Sequence, residues 1–223
     1  MPRSSKKADT LKHTAPKPTL VLLVRHGQTP TTGTSLPGRA PGLHLADTGR
    51  AQAEAVALRI ATMSKVNAVY ASPLERTRET AAPIAKQCGH KVQIARGLLE
   101  CDFGDWTGRA LKDLFKLPEW STVQRYPSGF RFPNGESFTE MQQRITNTIA
   151  SLVIRHPGET VVAVSHADPI KAAIAHAMGT HLDLFQRIVV SPCSVTAIAY
   201  GASGPVVLTV NSIGDDLNKL APS

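Results

Sequence analysis

The stretch Leu22-Leu23-Val24-Arg25-His26-Gly27-Gln28-Thr29 sets a cation, an imidazole and a glycine directly after an apolar run. Thr19 to Val24 are leucines or β-branched residues, too few for a helix. They read as a buried strand that ends where the polar residues begin. Ligands of open α/β sheets gather at that end of a strand. A neutral histidine there can accept a phosphoryl group covalently, and the neighbouring guanidinium offers a planar fork that matches phosphate oxygens. The pair points to phosphoryl chemistry without a metal or other cofactor. The same arrangement recurs far downstream, where Thr160-Val161-Val162-Ala163-Val164-Ser165 runs into His166-Ala167-Asp168-Pro169 and a helical pattern.

Two further segments carry charge at strand ends. Val66 to Ala71 is a short apolar run leading into Ser72-Pro73-Leu74-Glu75-Arg76-Thr77-Arg78-Glu79-Thr80. Proline is favoured just inside a helix start, so Pro73 predicts a helix with Arg76 on its first turn; Arg78 is the competing cation. Leu98-Leu99-Glu100-Cys101-Asp102-Phe103-Gly104-Asp105-Trp106-Thr107-Gly108 places Glu100 after an apolar pair, with Asp102 and Asp105 as alternative carboxylates. Taken together, RHGQT, SPLERTRET, LLECDFGDWTG and VSHADPIK resemble the histidine phosphatase superfamily, in its phosphoglycerate-mutase-like branch, over most of residues 19 to 211. The resemblance implies that His26 is the phosphorylated nucleophile, that Arg25, Arg76 and His166 surround the phosphate, and that Glu100 is the proton donor. It implies a small phosphorylated metabolite as partner.

Phosphoryl transfer asks for an in-line nucleophile, positive charge around the equatorial oxygens and a proton for the departing alkoxide. Arg25 and Arg76 are permanently charged, so they hold His26 neutral by repulsion and complement a phosphate dianion. His166 is expected to be protonated once phosphate is bound. The helix opening at Ala167 adds backbone N–H groups and its dipole. Gln28 and Thr29 either donate to phosphate oxygens or cap the turn. Glu136 either lines the pocket or sits at a helix start, where Ser137 and Glu140 have capping-box spacing. A proton donor that later activates water must titrate near the working pH.

These residues need a scaffold that brings distant strand ends together. The order of elements is strand 19–24, helix 47–63, strand 67–71, helix 73–88, strand 92–95, helix 137–155, strand 160–165 and helix 168–178. That alternation predicts a three-layer α/β/α sandwich with a mostly parallel sheet. Segments 194–200 and 206–211 read as an antiparallel pair at the sheet edge. Residues 101–134, broken by Gly104, Gly108, Pro118, Trp120, Pro127, Gly129 and Pro133 around one short helix at 108–116, read as a lid.

Composition bounds the rest. The 223 residues, 42% hydrophobic and 5% aromatic, suit one aliphatic catalytic domain over 19–223. No run approaches a membrane span, and Cys88, Cys101 and Cys193 have no CxxC spacing, which points to free thiols in the cytoplasm. Half of the formal charge of +8 lies in residues 1–18, where Arg3, Lys6, Lys7, Lys12 and Lys17 oppose Asp9. That stretch, rich in Pro, Ser and Thr, reads as a mobile extension rather than a nucleic-acid or transit segment. The competing activity is a phosphomutase. RHGQT departs from the longer RHGES-type motif with a Trp-Asn continuation typical of mutases, which favours hydrolysis. A phosphate-ligand or nucleic-acid binding protein is the reading from another class; loss of the first 18 residues would leave turnover intact if the chain is an enzyme. Oligomeric state is not encoded in any visible stripe.

Overall fold

The computed structural model describes residues 16–214; the expectation of a mobile extension over 1–18 falls almost wholly outside them. The elements in chain order are β1 (Thr19–Arg25), α1 (Asp47–Ala61), β2 (Ala68–Ala71), α2 (Glu75–Gln87), β3 (Val92–Ile94), α3 (Leu111–Leu114), α4 (Glu119–Arg125), α5 (Phe138–Arg155), β4 (Thr160–Ser165), α6 (Ala167–Ala177), β5 (Val195–Gly201) and β6 (Gly204–Ser212). The six strands form one sheet in the order β3-β2-β4-β1-β5-β6. The first four are mutually parallel, whereas β5 runs antiparallel to β1 and to β6. The predicted parallel sheet with an antiparallel edge is present.

Successive strand residues point to opposite faces, and both faces are covered, which is why these strands are apolar without alternation. Leu20, Leu22 and Val24 join α1 and α2 in one core, while Val21 and Leu23 join α5 and α6 in the other. Helix α1 buries Gly49, Ala53, Val56, Ala57 and Ile60, one stripe at helical spacing. Helix α5 buries Phe138, Met141, Ile145, Ile149 and Leu152, each contributing about 1.5–3 kcal/mol of transfer free energy. It starts with the complete capping box of Ser137 and Glu140.

Three boundaries differ from the sequence expectation. Helix α2 begins at Glu75, with Leu74 as its N-cap in extended conformation, so Pro73 lies outside the helix rather than in its first turn. The helix expected over 108–116 shrinks to Leu111–Leu114. A second short helix, Glu119–Arg125, follows directly behind Pro118, which serves as a helix start and not as a break. This segment holds together through rings. All six phenylalanines and both tryptophans of the chain form one chain of contacts, from Phe115 and Trp120 through Trp106, Phe103, Phe130 and Phe132 to Phe138 and Phe185. The low aromatic content is thus concentrated on the α5–α6 side of the sheet. Among the described residues, no helix is long and apolar enough to cross a membrane.

Candidate active site

The parallel register of β1 and β4 pairs Arg25 with Ser165, so the residues that follow each, His26 and His166, emerge side by side. Their ring centroids lie 5.2 Å apart at 62°. Strand β2 flanks β4, and Ser72 at its end bonds His166 Nε2 at 3.0 Å. Arg76, the second residue of α2, reaches the same place and is wholly buried. Glu100 comes from the loop beyond β3 and is 9% exposed. A cavity of about 170 Å³ has Arg25, His26, Thr29, Glu100, Ala167 and Asp168 in its wall.

The backbone of the first motif is fixed by close approach. Gly27 N donates to Thr80 Oγ1 at 3.0 Å, and a Cβ on Gly27 would come within 2.5 Å of the Gly49 carbonyl oxygen. A Cβ on Gly49 would in turn collide with the Gln28 carbonyl. Glycine at both positions lets α1 press directly on the loop that carries His26. His26 Nδ1 lies 2.8 Å from the Gly27 carbonyl oxygen, which only accepts, so Nδ1 carries the proton and Nε2 offers a lone pair.

The cations around this ring are left unpaired by the protein. Arg25 Nη1 donates to Val190 O and Arg76 Nη2 to Gly38 O. Arg25 Nε, Arg76 Nε and Nη1, and His166 Nδ1 are buried without a hydrogen-bond partner. Each such group costs about 1–3 kcal/mol when nothing meets it. All four belong to residues flanking His26, and an anion there would give them acceptors; the first residue of α6, Ala167, lines the adjoining cavity.

Burial, then the charges of Arg76 and Arg25, hold His26 well below the usual histidine range. Burial, then Arg76, His26 and Arg25, depress His166 as well; the expected imidazolium concerns the phosphate-bound site. A charge there is unnecessary, because the tautomer that accepts Ser72 Oγ–H at Nε2 presents an N–H at Nδ1. Glu100 moves the other way. Burial and then the negative charge of Asp168 push it up to about 7, against the opposing pull of Arg76, the Cys101 N–H and Arg25.

The backbone that carries Glu100 is held by a second group of arginines. Arg39 Nε donates to the Glu100 carbonyl oxygen at 2.8 Å, and Arg144 reaches the carbonyl oxygens of Gly97, Leu99 and Glu100. Both guanidinium groups pair with Glu136, at 3.0 Å and 2.8 Å. Glu136 is thus outside the cavity wall and, as the helix-start alternative had it, directly before the N-cap of α5, where its carboxylate is the hub of this clamp. Asp102 pairs with Arg39, and Asp105 accepts from Asn134, so neither alternative carboxylate lines the cavity. Gln28 also stays out of the wall, accepting from Thr48 through its side chain and donating from its backbone to Gln52. Thr29 lines the wall but spends its hydroxyl on Thr31 and Thr32. Sequence reasoning assigned no role to Asp168, Arg39 or Arg144. Only Asp168 left a trace, lying two residues past His166.

The comparisons place this architecture in a class. A family profile described as histidine phosphatase superfamily, branch 1, matches residues 21–213. The chain belongs to that superfamily. Phosphoserine phosphatase 1 of Hydrogenobacter thermophilus is 28% identical over 204 residues, spanning 86% of this chain and 91% of its own. A probable phosphoglycerate mutase of Cronobacter sakazakii is 30% identical over 201 residues, 86% of this chain and 93% of its own. The solved structure of Bacillus stearothermophilus YhfR superposes with a TM-score of 0.82 at 26% identity, covering 88% of this chain and 98% of its own. This chain spans about half, 55%, of the length of a set of longer mycobacterial relatives 31% identical to it.

Proposed function

We propose that this protein is a metal-independent phosphatase that hydrolyses a small phosphomonoester through a phosphohistidine on His26. One observation carries the reading: four buried N–H groups of Arg25, Arg76 and His166 without acceptors, beside an imidazole whose Nε2 is free to attack.

In the first half-reaction His26 Nε2 bonds to phosphorus as the ester P–O bond breaks, and Glu100 gives its proton to the leaving oxygen. The alcohol departs, and the Nδ1–H···O bond to Gly27 stays in place to hold the ring. Arg25, Arg76 and His166 meet the three equatorial oxygens, where transition-state charge collects. In the second half-reaction the ionised Glu100 takes a proton from water, the water oxygen bonds to phosphorus and the P–N bond breaks. Inorganic phosphate leaves, with His26 neutral and Glu100 protonated again. A group titrating at about 7 can do both.

Rapid quenching during turnover tests the reading. Acid-labile, alkali-stable label on the protein, abolished by His26→Ala, is the expected result; steady turnover with no label overturns it. Turnover is expected to persist in excess chelator. Interconversion of phosphoglycerates faster than phosphate release would make the protein a mutase instead.

A further inference from the structure

A second cavity of about 150 Å³ adjoins the first, and Leu36, Phe103 and Asp168 line both. Its other lining residues are Trp120, Val123, Phe132 and Phe138, with the neutral amides Gln124 and Gln186 as the further polar members. No lysine or arginine lines it among the described residues. Lys171 is already committed, its Nζ lying 3.2 Å from both Asp168 Oδ1 and Gln186 Oε1. Asp168 borders both cavities.

We infer that this annex is the leaving-group subsite and that it takes an uncharged, ring-sized apolar group. The inference rests on the phosphatase reading above and adds a substrate class to it. A cavity of this volume, walled mainly by aromatic and aliphatic side chains, has room for a benzene-sized guest. A leaving group bearing a carboxylate would enter beside the Asp168 carboxylate with no free cation to meet it, and desolvation there goes unrepaid. A neutral ring is favoured by the area it withdraws from water and by edge and face contacts with the wall.

The test compares primary alkyl esters of similar leaving-group chemistry: ethyl phosphate, 2-phenylethyl phosphate, O-phosphoserine and 3-phosphoglycerate. Ring burial predicts kcat/KM for the phenylethyl ester about 10- to 100-fold above that for ethyl phosphate. The two carboxylated esters are expected to fall below ethyl phosphate. In Trp120→Ala the phenylethyl-to-ethyl ratio is expected to drop toward one. Equal values for the ethyl and phenylethyl esters, or a preference for either carboxylated ester, overturns the inference while leaving the phosphatase reading standing. A parallel binding measurement on His26→Ala, with 2-phenylethylphosphonate and ethylphosphonate, separates the two claims. If no ester turns over but the phenylethyl compound binds at least tenfold tighter, the phosphatase reading fails and the subsite survives. Equal binding removes the subsite whatever the turnover.

Discussion

Two pairs of arginines act on Glu100 across the fold and are treated in opposite ways. Arg39 and Arg144 are saturated, with carboxylate oxygens of Glu136 and a run of backbone carbonyls accepting from them. Arg25 and Arg76 each make one bond to a carbonyl and keep Arg25 Nε and Arg76 Nε and Nη1 buried without a partner. The difference separates structure from chemistry without reference to any relative. A buried charge that is fully paired holds a loop, whereas one kept unpaired at a cost is waiting for an anion. Glu100 belongs to both worlds, its carbonyl in the clamp and its carboxyl in the cavity wall.

The contrast breaks if the two kinds of arginine respond alike to removal. Arg76→Met keeps volume and deletes the idle charge, so kcat/KM is expected to fall about 10³-fold with the melting temperature unchanged or raised. A large loss of stability would show that Arg76 is structural. Glu100→Gln sharpens the contrast from the middle: turnover of an alkyl ester is expected to fall about 10²-fold and that of an aryl ester, whose leaving group needs less protonation, much less. The same variant has a pH signature. The folded-state value of about 7 lies above the unfolded one, so the wild type is most favoured below about pH 4.5 and loses stability as pH rises through 7. Glutamine avoids that loss, and by pH 8 the variant is expected to gain about 1–3 kcal/mol relative to the wild type, read as a Tm difference absent at pH 4.

Arg144→Ala tests the other side. It leaves Glu136 and three carbonyls short of donors, and with a side chain about one-fifth exposed the expected cost is about 2 kcal/mol in chemical denaturation. Activity should then decline through a loosened Glu100, with kcat falling more than KM rises. The smallest effect belongs to Gln28→Ala, expected within about 0.5 kcal/mol in both stability and transition-state energy, because its side chain serves Thr48 outside the wall. A tenfold drop in kcat/KM would return Gln28 to the phosphate site.

Much of this was legible in the chain because local features fixed it. Two apolar runs each ending in histidine, with strands short enough for a buried sheet, set His26 and His166 at strand ends, and parallel pairing in register did the rest. The Ser137 and Glu140 spacing located the start of α5 within one residue. The clamp was not legible, since Arg39, Glu100, Glu136 and Arg144 meet only through tertiary folding and no periodicity links them. Helix α4 was hidden because Pro118 and Trp120 read as interruptions, while the proline in fact opens the helix and the indole packs into the ring cluster. The second cavity is likewise a product of packing, assembled from α4, the first residues of α5 and α6 and the loops around Leu36, Phe103, Phe132 and Gln186.

The abutment of Gly27 on Gly49 carries a practical warning. Helix α1 contributes nothing to the cavity wall, yet a methyl group at residue 49 would be transmitted as a displacement of the histidine two residues from its point of impact. In a mutational scan scored only by turnover, residue 49 would masquerade as part of the reaction machinery, and only a structural readout would expose it as a bystander that happens to lean on the loop carrying His26.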